Sequence, residues 1–434
     1  MTTTVHSASR PSSRSGSLTG LGALVRFTLR RDRGRLTTWI VATAVVIGVS
    51  AWNLRNVYGT QQAVEAYVRL FGNNPALVAF AGPGFGFDRP SIGVILVNET
   101  QLWGMITLAI LSIFLVNRHT RAEEDTERIE LVLSQVVGRH APTGASMVVV
   151  AATELLIGVL AAVTFILAGY PVLGSISLAG SMLAVGLVFI GVTAAAAQFF
   201  STGRATTGAS LMVLLVAFIL RAVGDIGHNR ATWLSPIGWA QSVRSFADER
   251  WWPLAVCAVV GAALVGGSFW LADHRDLGSG FIGTRPGRAR AARSLTDPFG
   301  FALRLQRGLI GIWVIGLFTT GYVFGIIADD VDAMARDNPQ FAEVFAQMGK
   351  GTITDSYLAT AMAMLGLMAG GFGIAAMLAS SNEERSGHLE LMLSRRVGRL
   401  RWIGSHLAIA TLGTVVLMIA SGLGVGVAYA RVTG

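Results

Sequence analysis

Runs of predominantly apolar residues, each about 20 residues long, alternate with polar segments along the chain. They lie near residues 37–55, 93–117, 143–169, 173–199, 206–223, 252–272, 308–328, 357–380 and 402–429. Lipid cannot satisfy backbone N–H and C=O groups, so a run that crosses a hydrocarbon core of about 30 Å must be helical. The residue-by-residue alternation of a membrane β-barrel is absent. The pattern therefore predicts nine transmembrane helices.

The composition agrees with a membrane protein. Of the 434 residues, 52% are hydrophobic and only 14% are charged, which is more apolar than a soluble domain of this length. We therefore predict an all-α, polytopic integral membrane protein. The single cysteine, Cys257, falls within a predicted span, which excludes an intrachain disulfide and a cysteine-based metal site.

Basic residues indicate the orientation of the chain. If the N-terminus is cytosolic, 24 of the 34 Lys and Arg residues fall in the cytosolic segments, whereas the outer segment 329–356 is acidic. The net charge of +9 is then explained by anchoring at the inner leaflet, so no nucleic-acid partner is expected. We expect a multi-pass protein of the cell membrane.

Two segments of the chain repeat each other. Residues 123–139, EEDTERIELVLSQVVGR, match residues 383–399, EERSGHLELMLSRRVGR, at nine of 17 positions. The identical pairs are Glu123/Glu383, Glu124/Glu384, Glu130/Glu390, Leu131/Leu391, Leu133/Leu393, Ser134/Ser394, Val137/Val397, Gly138/Gly398 and Arg139/Arg399. A second match pairs residues 29–39 with residues 303–313.

The repeat predicts two membrane modules in parallel orientation. Six predicted spans, an even number, lie between the starts of the two copies, so both enter the membrane in the same direction. We expect a disordered cytosolic tail at 1–20, a six-span module at 21–272, a basic cytosolic linker at 273–297 and a second module at 298–434. The second module is expected to be incomplete, because about 100 residues with three spans have no counterpart.

Each repeated segment begins with acidic residues, continues with apolar residues at helical spacing and ends with Gly-Arg. Carboxylates favour a helix N-terminus, and glycine favours a helix end. A short amphipathic helix therefore fits both sites. One interpretation is a solvated helix that only joins two spans; the other, favoured by the repetition, is a docking surface for a partner.

The motif E-E-x-x-x-x-x-E-L-x-L-S-x-x-V-G-R, preceded by a basic amphipathic segment, resembles the permease subunit of type-2 ABC exporters. It is most similar to the actinobacterial family described as exporters of polyketide antibiotics. The resemblance implies two fused six-span modules from an actinobacterium-like bacterium, with membrane-surface elbow helices at Leu21–Leu36 and Phe299–Leu309. It also implies coupling helices at 121–139 and 381–399 that dock on ATP-binding subunits, two in number.

The same resemblance assigns the contacts with those subunits to residues of the repeat. They are Glu123, Glu124, Glu130, Leu133, Ser134, Gly138 and Arg139, with Glu383, Glu384, Glu390, Leu393, Ser394, Gly398 and Arg399 in the second copy.

ATP hydrolysis is expected in a partner subunit and not in this chain. A P-loop requires G-x-x-x-x-G-K-[ST], but Lys350, the only lysine, has Val344 in place of the first glycine. ATP and Mg²⁺ would therefore bind to the partner, and we expect no catalytic residue, cofactor or metal site here.

Polar residues within the spans are candidates for a substrate path. Glu154 lies well inside the third span, where it either lines the path or makes a hydrogen bond between helices. Gln101 and Gln198 lie near the ends of the second and fourth spans, where a structural role and a substrate contact both remain open.

The sequence predicts an ATP-driven permease that exports an amphipathic small molecule, such as an antibiotic, from the cytosol or inner leaflet. A lipid or glycan exporter is the nearest alternative. A proton-coupled secondary transporter working through Glu154 and a non-transporting membrane scaffold are the others.

Overall fold

The computed structural model describes residues 16–72, 78, 81–126, 128–276, 278–283, 295, 297–337, 352–385, 388–394 and 397–433. Most of the predicted tail, most of the basic linker and residues 338–351 of the predicted acidic loop lie outside these ranges. The chain forms two compact units, Met1–Arg285 and Pro286–Gly434, called units 1 and 2 below. Their boundary falls within the segment for which the sequence predicts a linker.

Unit 1 is built from helices. These are α1 (Leu21–Val57), α2 (Gln61–Gly72), α3 (Ile92–His119), α4 (Arg121–Glu124), α5 (Arg128–Leu133), α6 (Ala141–Leu167), α7 (Val172–Phe199), α8 (Gly203–Ile226), α9 (Pro236–Gln241) and α10 (Trp252–Asp273), with a 3₁₀ helix at Arg230–Leu234. Unit 2 contains α11 (Pro298–Asp337), α12 (Ile353–Arg385), α13 (His388–Leu393) and α14 (Arg399–Thr433).

In the described part of the chain, nine helices are long and apolar enough to cross a membrane: α1, α3, α6, α7, α8, α10, α11, α12 and α14. They correspond one to one with the nine apolar runs. The predicted fold class, an all-α polytopic membrane protein, is therefore confirmed.

The expected elbow helices are not separate elements. Leu21–Leu36 is continuous with the first span in the 37-residue α1, and Phe299–Leu309 is continuous with the seventh span in α11. At 1.5 Å per residue, α1 is about 55 Å long, whereas a hydrocarbon core is about 30 Å thick. The basic part of α1 is therefore a helical extension of the span, with no break that would turn it along a membrane surface.

Helix α7 lies at the centre of unit 1, packed against α3, α6, α8 and α10. Its sequence contains no charged residue, and its serines at 175, 177 and 181 are fully buried. Gln101 of α3 is also buried, and its Nε2 donates to Ser181 Oγ at 2.9 Å. Small and polar residues thus hold α3 and α7 together, as expected for helices that pack in lipid.

Unit 2 packs α11 against α14 through glycines. The backbone of Ser421 and Val425 lies against Gly321 and Gly325, and Gly424 faces the backbone of Phe318. A Cβ at any of these glycines would collide with the opposite helix. Close backbone approach through small residues is typical of membrane helices.

Candidate functional site

The repeated motif falls in residues 120–140, between α3 and α6, which we call the junction segment. The sequence predicts a single coupling helix at 121–139, and the structure corrects this. The segment contains the four-residue α4 and the six-residue α5, and Asp125 and Thr126 form a turn between them. The helix is interrupted because polar side chains of the segment bind other elements, as described below.

Glu124 is held between two arginines. Its carboxylate accepts from Arg121 Nη1 at 2.8 Å and from Arg275 Nη2 and Nη1 at 2.7 and 3.0 Å. The side chains of Glu124 and Arg275 are each 7% exposed, and Arg121 is fully buried. Glu124 therefore anchors the junction segment inside unit 1 and offers little surface to a partner.

Gln198 belongs to the same cluster. Its Oε1 accepts from Arg275 Nε at 2.6 Å, and Arg121 donates to the carbonyl of Ala197. Ile282, which follows α10 in the chain, lies at the end of α7, where its backbone N donates to Phe199 O at 2.7 Å. Gln198 thus joins α7 to the junction segment, while its assignment to a substrate path stays a prediction.

A second cluster attaches the segment to α1. Arg31 Nη1 lies 3.1 Å from Glu123 Oε1. The side chain of Asp32 is 4% exposed. Its Oδ1 lies 3.3 Å from Arg118 Nη2, and its Oδ2 lies 3.2 Å from His119 Nε2, both at the end of α3. Buried charges require partners of this kind, because desolvation makes an isolated charge costly.

Sequence reasoning did not single out Asp32, Arg121 or Arg275. The sequence signal that could have identified Asp32 is its position as the lone acidic residue in the basic run RRDRGR. No spacing rule reveals Arg275, since it meets Glu124 across 151 positions of the chain.

Asp125 connects the segment to the fifth span. Its Oδ2 accepts from Gly203 N, the first residue of α8, at 2.6 Å. Asn117 at the end of α3 donates to Gly203 O at 3.0 Å and to Thr207 Oγ1 at 2.8 Å. A carboxylate at a helix N-terminus satisfies a free N–H group and interacts favourably with the helix dipole.

The Gly-Arg end of the motif is also engaged. Gly138 N donates to Thr19 O at 2.9 Å, and Arg139 Nη2 donates to the carbonyls of Ala272 and Arg275 at 2.6 and 2.8 Å. His140 Nε2 lies 2.9 Å from Asp273 Oδ1 at the end of α10. The junction segment therefore meets the ends of α1, α7, α8 and α10, besides joining α3 to α6.

The other face of the segment is open. Glu130 and Ser134 are exposed, and two apolar side chains project from unit 1, Leu131 (74% exposed) and Val136 (84% exposed). Leu133 is half-buried. An exposed apolar surface rimmed by polar residues is a feature of protein–protein contacts.

The second junction segment, residues 380–400 of unit 2, is described in part. Glu383 Oε2 lies 3.5 Å from His406 Nε2, and His406 Nδ1 lies 3.1 Å from Gln306 Nε2 of α11. The exposed motif residues are Glu384, Glu390, Ser394, Gly398 and Arg399, and Leu393 is half-buried. Its short helix α13 covers only part of the predicted coupling helix at 381–399, because α12 continues to Arg385 and α14 starts at Arg399.

Glu154 lies in the interior of unit 1, fully buried between α3, α6 and α7. Ser112 Oγ contacts its Oε1, and a Cβ at position 186 would lie 2.7 Å from its Cδ. This is the geometry of a contact between packed helices. A role for Glu154 or Gln101 in a substrate path stays a prediction.

The end of unit 1 opposite the junction segment carries a different polar cluster. Tyr67 of α2 donates to Glu99 Oε1 at 2.6 Å and accepts from Asn98 Nδ2 at 2.8 Å. Burial, and then the charge of Glu99, raise the pKa of Tyr67. The same two causes raise the pKa of Tyr58 to about 12. In the described parts of the chain, no group of three His, Cys, Asp or Glu side chains could hold a metal ion.

Comparison with known proteins gives two matches. The family described as "Multidrug efflux system permease Rv1217c, C-terminal domain" matches residues 21–271 and 295–434. The multidrug efflux system permease protein Rv1217c of Mycobacterium tuberculosis is 33% identical over 441 residues, which cover this whole chain and 80% of the relative. Both matches include the junction segment and its repeat.

Proposed function

Because the chain belongs to the family of multidrug efflux system permeases, we propose that it forms the membrane path of an ATP-driven exporter of amphipathic small molecules. Separate ATP-binding subunits dock on the exposed faces of the two junction segments. The cytosol or the inner leaflet supplies the substrate.

The observation that carries this proposal is the position of the junction segment. One of its faces is bound to the ends of α1, α7, α8 and α10, and its chain continues from α3 and into α6. The opposite face presents Glu130, Leu131 and Val136. A partner that pushes on the exposed face would therefore transmit its movement to all six spans of unit 1 at once.

The partner supplies the chemistry. ATP and Mg²⁺ bind there, and hydrolysis provides the free energy for the movement. In this chain, the buried ion pairs around Glu124 and Asp32 transmit the displacement, because a rigid, hydrogen-bonded connection moves as one body. The spans then alternate between two packings, one open to the cytosol and one open to the outside.

Orientation follows from the same assignment. Docking by a cytosolic ATP-binding subunit requires both junction segments and the N-terminus of α1 to lie in the cytosol. This placement is supported by the exposed arginines along that part of α1, which are Arg26, Arg30 and Arg33. Cytosolic segments of membrane proteins carry an excess of Lys and Arg. The protein then spans the cell membrane.

Charge reversal on the docking faces tests the proposal. In Glu130→Arg with Glu390→Arg, both carboxylates are exposed, so the chain should fold and insert as before. We expect co-purification of the ATP-binding subunit from membranes, and drug efflux, to fall together. If either residue is a binding hot spot, the loss is about 2 kcal/mol, or about 30-fold in Kd.

The matched control is Glu65→Arg, which makes the same change on exposed α2 at the opposite end of unit 1. It should leave both readouts unchanged. If the double variant retains its ATP-binding subunit and full efflux, docking through these faces is wrong. If efflux collapses on adding an uncoupler while ATP is maintained, the proton-coupled alternative is favoured instead.

A further inference from the structure

Glu154 is the one charged residue in the sequences of α6 and α7, and it is the fourteenth of the 27 residues of α6. It is fully buried, at the level where α3, α6 and α7 pack together. Docking of ATP-binding subunits on the junction segments does not involve it. A carboxyl group at the centre of a membrane unit nevertheless requires an explanation, because such groups are expensive in lipid.

The contacts of Ser112 indicate the state of this carboxyl. Ser112 Oγ contacts Glu154 Oε1 and also lies 2.9 Å from the carbonyl oxygen of Gly186. A serine hydroxyl has one hydrogen, so it can donate to only one of these two oxygens. If Glu154 is ionised, one of the contacts places two acceptors together without a proton. If Glu154 is protonated, it donates to Ser112 Oγ, and Ser112 donates to Gly186.

The surroundings of Glu154 lead to the same conclusion. Its second oxygen, Oε2, has no hydrogen-bond partner among the described residues. The titratable residues of α3 with charged forms are Glu99, Arg118 and His119, and the last two lie beside Asp32. Helix α1 also packs against α6, and its charged residues are confined to positions 26–35 and to Arg55, near its two ends. A buried carboxylate with neither a cation nor a full set of donors would be strongly destabilised.

We propose that Glu154 is a proton-binding site, which carries its proton at neutral pH while α3, α6 and α7 are packed together. As a neutral acid it completes a relay of two hydrogen bonds, from Glu154 to Ser112 and from Ser112 to the carbonyl of Gly186. When the three helices separate and water reaches the site, the carboxyl ionises and releases the proton. Closing of the helices takes a proton up again.

Proton binding of this kind links the packing to pH. The packed state holds a proton that the separated or unfolded state loses once the pH exceeds the ordinary pKa of glutamic acid. Low pH therefore favours the packed state, and that advantage is lost as the pH rises. Glu154→Gln keeps the shape and a hydrogen-bond donor but has no proton to lose, so its packing should not depend on pH through this site.

Infrared spectroscopy of the full chain in lipid nanodiscs tests the proposal without any partner subunit. The wild type at neutral pH should show the C=O stretch of a protonated carboxylic acid, and Glu154→Gln should lose this band. The matched control is Glu99→Gln, which removes the half-buried glutamate of α3 that contacts Tyr67. The Glu154 band should remain in that control and shift in Ser112→Ala.

A second measurement compares the unfolding of wild type and Glu154→Gln as the pH is raised from 5 to 8. The unfolding equilibrium constant of the wild type should increase relative to the variant by about tenfold per pH unit. If Glu154→Gln retains the infrared band of the wild type, or if the two proteins show parallel pH profiles of unfolding, the proposal is wrong. Neither result depends on whether an ATP-binding subunit docks on the junction segments.

Discussion

At the scale of single residues, the arginine side chains of unit 1 serve as internal connections. Arg275 reaches Glu124, Gln198 and the carbonyl of Ser279 with one guanidinium group. Arg121 reaches Glu124, Ala197 and the same carbonyl. The planar fork of arginine can bind several acceptors at once, which lysine cannot do in this geometry. The near absence of lysine from this chain agrees with that use.

Removing Arg275 should be costly. In Arg275→Ala, the carboxylate of Glu124 stays buried but loses a partner, and breaking a buried pair in this way costs about 3–5 kcal/mol. We expect a clearly lower thermal unfolding midpoint in detergent. The matched control is Arg401→Ala, whose ion pair with Asp297 joins side chains 69% and 48% exposed. An exposed pair contributes about 0–1 kcal/mol, so the control should melt close to the wild type. Equal midpoints for the two variants would contradict an anchoring role for Arg275.

At the scale of elements, hydropathy predicted where the membrane helices lie but not how they end. Each apolar run became a helix, because lipid leaves no alternative for the backbone. The expected break after Leu36 is absent, since the run of arginines is as compatible with a straight helix as with an elbow. The prediction of a single coupling helix was also wrong, because Asp125 binds Gly203 and Glu124 binds Arg275, and both partners lie on other elements far away in sequence.

The two glycines that end the repeated motif should respond differently to substitution. Gly138 is buried, and a Cβ there would collide with the backbone of Ser17, whereas nothing described lies within 4 Å of a Cβ at Gly398. Gly138→Ala should therefore displace the N-terminal segment and break its hydrogen bond from Gly138 N to Thr19 O. We expect faster proteolysis before α1 in that variant.

Gly398→Ala is the internal control for this prediction, because the repeat places it at the equivalent position of the second junction segment. Its proteolysis pattern should match that of the wild type. If both variants behave alike, the packing of the N-terminal segment on Gly138 has no influence on the stability of that region.

At the scale of the whole molecule, the two copies of the sequence repeat make similar contacts in the two units. In each unit, a glutamate that follows the second span lies beside a basic or histidine side chain near the start of another long helix. Glu123 contacts Arg31 of α1 in unit 1, and Glu383 lies near His406 of α14 in unit 2. The sequence could identify the two glutamates as equivalent, but their partners differ, because Arg31 and His406 are not equivalent positions.

The orientation of the chain can be tested with cysteine labelling, since the single natural cysteine, Cys257, is fully buried and should stay silent. Glu65→Cys on α2 and Glu130→Cys on α5 change exposed residues at opposite ends of unit 1. If the junction segment is cytosolic, a membrane-impermeant maleimide should label Glu65→Cys in intact cells and Glu130→Cys only after permeabilisation. Labelling of Glu130→Cys in intact cells would place the junction segment outside, where no ATP-binding subunit could reach it.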